Sequence, residues 1–218
     1  MTLKLVLGGT FDPVHVGHVN SACALMELFS DCEVVLVPSK IPPHRDTPSA
    51  SPEQRFEMLQ LATKDVPGLS SDDCELRREG SSFTIDTLAD YREKAEEQPL
   101  VFAMGLDAWV TLPTWRNWES LCDLAHLLIM ERPGGSSLEE PAQLKAWAAE
   151  KLVADVSSLE TTASGLVCHV TLQQFDVSAT RARETIKQGD STDSMLHPDV
   201  AGYIARHHLY LDNESHGK

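Results

Sequence analysis

Eleven consecutive residues, Gly8–His18 (G-G-T-F-D-P-V-H-V-G-H), hold the densest chemistry in this chain. Gly8 and Gly9, leading into Thr10 and Phe11, let the backbone turn tightly and let a ligand approach it closely. The segment follows an apolar run and enters a helical pattern through Gly17, a setting in which free N–H groups and the helix dipole attract phosphate. His15 and His18, three residues apart at the helix entrance, can turn both rings toward one phosphate group. Taken alone, H-x-G-H also fits a tight turn with two ordinary histidines; its length and setting favour the anion site. A second such place lies near the C-terminus, where Ser178 caps a predicted helix that also carries Thr180 and Arg183. Free N–H groups behind the cap and the Arg183 guanidinium suit an anion. An amphipathic helix with solvated arginines is the plainer alternative.

These residues need elements to hold them. Leu3–Leu7, Glu33–Pro38, Leu100–Met104, His126–Met130 and Val167–Leu172 read as strands. Helical patterns occupy Val19–Phe29, the stretch from Pro52 to about Thr63 behind Ser51, Ile85–Glu97 with Thr84 as cap, Pro141–Leu152, Ala179–Gln188 and Pro198–His207. Ser51-Pro52-Glu53 combines a capping hydroxyl, Pro in the first turn and an acid beside it. Ser39–Ser51 is a Pro-rich loop. Strands alternating with helices predict an α/β fold, a Rossmann-like doubly wound parallel sheet with helices on both faces. Ligands of such sheets bind beyond the carboxyl ends of the strands, where strand order reverses. One domain over 1–218 is expected, with a polar tail at 212–218 that frays and with insertions or mobile loops in Glu139–Ser164.

The 218 residues carry 18 Lys+Arg against 33 Asp+Glu, a formal net charge of −15. That balance opposes broad binding to a nucleic-acid backbone, which needs basic surface, but leaves room for a small basic pocket. The five cysteines, at 23, 32, 74, 122 and 168, form no C-x-x-C and no zinc-ligand spacing, so they read as free thiols. Met1–Leu7 lacks the apolar length of a signal peptide, and no apolar stretch approaches the roughly 20 residues that span a bilayer. A cytoplasmic protein without membrane or nucleic-acid partners is expected; the sequence leaves oligomeric state open.

Gly8–His18 resembles the signature of the (H/T)-x-G-H nucleotidyltransferase superfamily, and further segments resemble bacterial nicotinate-nucleotide adenylyltransferases. These are Ser39–Arg45 (S-K-I-P-P-H-R), Ser82–Leu88 (S-F-T-I-D-T-L), Gly105–Asp107 with Leu112–Trp115 (L-P-T-W), Val177–Arg183 (V-S-A-T-R-A-R) and the close at His197–Tyr210. Phe83 stands where that family usually has Tyr, and Arg116 where it often has an aromatic. The resemblance implies attack of nicotinate mononucleotide on the α-phosphorus of ATP, with Mg²⁺ arriving on ATP and held mainly by phosphates rather than by a protein site. It further implies His15, His18 and Arg183 as the catalytic set, and Gly8, Gly9, Thr10, Phe11, Gly17, Ser178 and Thr180 around ATP. His44, Arg45, Thr84, Gly105, Asp107 and Trp115 would surround the mononucleotide. Trp115 would stack on the pyridine ring, whereas Trp109 and Trp118 read as core or interface aromatics. Lys40 is a weaker candidate than His44 or Arg45, and Arg181 has no matching role. Other enzymes of the superfamily, acting on nicotinamide mononucleotide or phosphopantetheine, share the first motif but are not expected to carry S-F-T-I-D-T-L with L-P-T-W. A synthetase fragment would need basic bulk, and a nucleotide-binding regulatory module would be expected to lose His15, His18 or Arg183.

Overall fold

Five of the seven strands are apolar on both faces, and this explains the continuous β-branched runs in the sequence. The computed structural model describes residues 2–40, 47–95, 97–131, 133–134, 138–173 and 175–211. Its strands are β1 (Leu3–Gly9), β2 (Cys32–Pro38), β3 (Leu69–Ser71), β4 (Leu100–Gly105), β5 (His126–Glu131), β6 (Leu152–Val153) and β7 (Val167–Thr171). All pairings are parallel, in the order β3-β2-β1-β4-β5-β7-β6. The Rossmann-like, doubly wound expectation holds.

The helices are α1 (Val16–Met26), α2 (Pro52–Thr63), α3 (Cys74–Arg77), α4 (Thr84–Lys94), α5 (Leu106–Thr111), α6 (Leu121–Leu124), α7 (Ala142–Ala148), α8 (Ala179–Gln188) and α9 (Pro198–Arg206). Alternation along the strands divides the core in two. Leu5, Leu7, Leu36, Ala103 and Leu128 face α1, α2, α8 and α9. Val6, Val35, Phe102, Leu127 and Ile129 face α3 to α7. Burying each of the Leu, Val, Ile and Phe side chains contributes roughly 1.5–3 kcal/mol.

Several boundaries differ from the sequence reading: α1 runs Val16–Met26 rather than Val19–Phe29, α7 stops at Ala148 rather than Leu152, and three further differences have a visible cause. Thr84 is not a cap: it is the first helical residue of α4, and the capping position falls on Phe83, which carries no acceptor. Ser82 orders that approach instead, its Oγ accepting from Lys40 N–H at 3.2 Å. α4 also stops at Lys94 rather than Glu97, and Arg92 donates to the carbonyls of Ala95 and Gln98 just beyond. Third, the weakly patterned 139–164 stretch carries more regular structure than the helix expected at Pro141–Leu152. It holds α7, β6 and a 3₁₀ turn at Val156–Glu160. β6 is two residues long and gains its order from β7, so it has no periodicity to read. By contrast, Ser51 caps α2 as expected, accepting from Gln54 N–H at 3.3 Å, and α8 has the expected bounds. The five cysteines are free. Among the described residues no helix is long and apolar enough to cross a membrane.

Candidate active site

The winding of the sheet reverses between β1 and β4, which pair directly from Lys4↔Leu100 to Leu7↔Ala103. The residues after both strands therefore open on one crevice. On the β1 side, Gly8 and Gly9 end the strand and Thr10–Val14 turn into α1. A side chain at Gly9 would place its Cβ 2.8 Å from the Phe11 ring. Phe11 is buried at φ +52° and meets the His18 ring edge-on at 4.9 Å.

α1 starts at Val16, earlier than its apolar spacing suggests, so His15 is its capping residue and His18 lies in its first turn. The two rings stack at 3.6 Å. His15 N–H donates to His18 Nδ1 at 3.2 Å, so the proton of a neutral His18 ring sits on Nε2. The His15 side chain is 9% exposed, its Nδ1 has no hydrogen-bond partner among the described residues, and burial pushes its pKa down to about 4. Gly17 is required by close packing: a Cβ there would lie 2.8 Å from Val177 and 3.0 Å from His15 Nδ1.

α8 reaches the same turn from the other end of the chain. Ser178 caps it by accepting from Arg181 N–H at 3.2 Å. Arg183 donates from Nη1 to the Asp12 carbonyl at 2.6 Å, and its Nη2 lies 3.4 Å from Thr180 Oγ1. Arg181 instead pairs with exposed Asp176. His15, His18, Thr180 and Arg183 are thus gathered around one turn.

On the β4 side, Gly105 precedes α5 and has Asp107 Oδ1 only 2.5 Å from where its Cβ would be. Asp107 is exposed in the first turn. Half-buried Trp115 meets Phe102 edge-on at 6.3 Å, and Phe102 in turn packs against Gly8. That ring connects the two sides. Trp109 is fully buried, as expected, and donates to Glu140 at 3.0 Å; Trp118 is half-buried against Trp147. Thr84 follows Phe83, whose ring carries the Arg116 guanidinium at 4.9 Å. Lys40 Nζ donates to the Arg78 carbonyl at 2.5 Å, which gives it a structural task at the same loop. His44 and Arg45 lie outside the described residues.

Several residues that organise the site went unassigned by motif. Asp12 is 6% exposed and accepts from Ser49 N–H, Ala50 N–H and Tyr210 Oη–H at 2.8, 3.0 and 2.8 Å. Arg55 is fully buried, donating to the carbonyls of Thr10 at 2.6 Å and Lys40 at 3.2 Å. Its position was readable: Arg55, Met58, Leu59 and Ala62 share the buried face of α2 at helical spacing. Glu75 is buried beside α4, where it accepts from Thr87 at 2.7 Å and burial pushes its carboxyl up. Among the described residues no group of three or more His, Cys, Asp or Glu could hold a metal ion. The donor set of imidazole, guanidinium and backbone N–H suits oxyanions.

The depressed His15 pKa carries a stability consequence. The folded state favours the neutral ring, so the unfolded chain takes up a proton first as pH falls from 6.5 toward 4. Stability is lost over that window, by on the order of 3 kcal/mol once His15 is protonated in both states. His15→Gln should flatten the acid limb of unfolding free energy between pH 6.5 and 4, measured by urea titration. His126, also pushed down by burial, remains in both proteins and cancels. Parallel curves for the two would show that His15 is not buried as a neutral ring.

A family model described as cytidylyltransferase-like matches residues 6–185. The probable nicotinate-nucleotide adenylyltransferase of Aeromonas salmonicida is 38% identical over 205 residues, covering 94% of this chain and 95% of that protein. Its counterpart in Pectobacterium atrosepticum is 39% identical over 210 residues, covering 96% and 99%. The solved structure of Plasmodium falciparum nicotinic acid mononucleotide adenylyltransferase complexed with NaAD shares the fold. It has a TM-score of 0.72 at 16% identity, covering 96% of this chain and 98% of that one. On the sequence matches, the chain belongs to the nicotinate-nucleotide adenylyltransferase family.

Proposed function

We propose that this protein transfers the adenylyl group of ATP to nicotinate mononucleotide, giving deamido-NAD and pyrophosphate as a step of NAD biosynthesis, in the cytoplasm. The observation that carries the reading is the meeting of two donor sets at the β1–β4 reversal. His15, His18 and Arg183 surround one turn, Asp107 and Trp115 follow β4, and Thr84 opens α4 beside the Phe83 ring on which Arg116 lies. Family membership gives the reaction class to which that arrangement answers.

The nucleophile is already an anionic phosphate, so no protein base or nucleophile is needed. Positioning and stabilisation of charge on the phosphoryl oxygens carry the rate. In this reading ATP lies over Gly8, Gly9, Thr10, Phe11 and Gly17, with Ser178 and Thr180 at the second helix. His18 offers Nε2–H to the α-phosphate, its other nitrogen being engaged by His15 N–H. His15 supplies a second ring at the phosphates, and a polyanion beside it would raise its low pKa. Arg183 has donors left over for the β- and γ-phosphates after its bond to Asp12. Mg²⁺ enters as the ion of the nucleotide substrate, coordinated by phosphate oxygens and water.

The mononucleotide's pyridinium ring would stack on Trp115, with dispersion and cation–π attraction together. The N–H groups of Thr84 and Arg116 would donate to its carboxylate, Asp107 would accept from ribose hydroxyls, and Gly105 leaves Asp107 room to do so. His44 and Arg45 enter the reading through the Pro-rich segment's sequence alone, as contacts to the mononucleotide phosphate.

His18→Ala should lower kcat about 10²–10³-fold while leaving both KM values within a few-fold, because the lost donor acts where charge develops. Near-normal turnover in a pyrophosphate-release assay would remove His18 from the mechanism.

The substrate itself is tested by comparing nicotinate with nicotinamide mononucleotide at saturating Mg-ATP. A pocket of N–H donors pairs both carboxylate oxygens, whereas an amide turns its own NH₂ toward one donor and leaves it unpaired. Such a mismatch can discriminate by up to about 10⁴-fold in kcat/KM. Equal values, or preference for the amide, would contradict the assignment.

A further inference from the structure

Asp12 is a buried carboxylate placed directly under a turn that has to receive a polyphosphate. Left to itself, that charge would repel the ligand and draw Arg183 away from it. The structure surrounds it with donors: Ser49 N–H to Oδ2, and Ala50 N–H and Tyr210 Oη–H to Oδ1. Arg183 Nη1 lies 3.9 Å from Asp12 Oδ2 while donating to the Asp12 carbonyl at 2.6 Å. Arg183 is therefore shared between the main chain and a carboxylate that could claim it more fully.

Tyr210 arrives from 198 residues away in sequence. After α9 the backbone passes through two non-glycine residues at positive φ, His208 at 51° and Tyr210 at 63°. L-residues avoid that region, and such conformations persist only where the surroundings hold them. The kinked exit turns the Tyr210 ring inward to 8% exposure, with its hydroxyl on Asp12. Burial and the neighbouring carboxylate both push the phenol pKa up, so it remains a donor throughout the neutral range.

We propose that Tyr210 is a positioning residue of the ATP site: by donating to Asp12 it satisfies the carboxylate and leaves Arg183 on the main-chain carbonyl, aimed at the nucleotide. This rests on the reading of Arg183 as the β/γ-phosphate contact. Loss of the hydroxyl leaves Asp12 one donor short, and the nearest mobile cation to compensate is Arg183. The effect on ATP should pass through Arg183, and the mononucleotide side should not register it.

The test is a double-mutant cycle read by binding alone, with the Mg²⁺ complex of α,β-methylene-ATP as probe and calorimetry as readout. Tyr210→Phe removes one oxygen and keeps the ring. It should weaken the analogue about tenfold in the wild-type background and less than twofold in an Arg183→Ala background. The Kd of nicotinate mononucleotide should stay within twofold throughout. Equal effects of Tyr210→Phe in both backgrounds would mean that the hydroxyl acts independently of Arg183 and would overturn the proposal. So would an unchanged Kd in the wild-type background, or a Tyr210→Phe chain whose thermal melt shows that it does not fold. A wild-type chain that binds the analogue but forms no deamido-NAD would refute the proposed reaction and leave this cycle intact; one that does not bind the analogue refutes both.

Discussion

The direct pairing of β1 with β4 is the constraint on which everything else in this protein depends. Consecutive strands β1, β2 and β3 build outward in one direction, and β4 must return to the other side of β1. That reversal leaves two strand ends adjacent, the place where sheets of this kind bind their ligands. Each end carries its own loop chemistry, the glycine turn after β1 and the Gly105–Trp115 segment after β4. Phe102 lies between them: a side chain at Gly8 would meet its ring at 3.6 Å, and Trp115 meets the same ring edge-on. In the proposed reaction, two substrates that meet at one phosphorus atom would find neighbouring floors there.

A net charge of −15 does not prevent a local anion site, because local donors decide such a contact. Around the turn these are backbone N–H groups, a His15 ring kept neutral by burial, His18, and Arg183. Buried Arg55 lies beneath, held by two carbonyls and with no carboxylate within ion-pair distance among the described residues. Its own pKa is lowered by burial, and in a low-dielectric interior its charge is felt farther than it would be at the surface. Asp12 is the local acid, and three donors hold it. Cations under and beside the turn, with a carboxylate held by three donors between them, give the donor set that the proposed polyphosphate site needs in an otherwise acidic molecule.

Much of this was legible in the sequence where the signal is contiguous. The strands β1, β2, β4, β5 and β7 are five- to seven-residue apolar runs, and α8 has a capping Ser and a terminal Gly189 at φ 74°. The His15–His18 turn is read from eleven adjacent residues. What failed was short or long-range. β3 and β6, at three and two residues, take their order from neighbours. Thr84 reads as a cap because Thr is a good one, yet the loop is ordered by Ser82 and Lys40 and the helix begins one residue early. Asp12 and Tyr210 both sat inside recognised segments, but nothing local says that residues 198 apart share a hydrogen bond.

In the proposed reaction the mononucleotide phosphate itself attacks the α-phosphorus, with the protein supplying only position and charge. Nicotinate mononucleotide carrying ¹⁸O in its phosphate, incubated with Mg-ATP and the enzyme, tests this by mass spectrometry of both products. Direct attack keeps all label in the dinucleotide, including its bridging oxygen, and leaves the pyrophosphate unlabelled. Label in the pyrophosphate, or AMP found covalently on the protein before the mononucleotide is added, would contradict it.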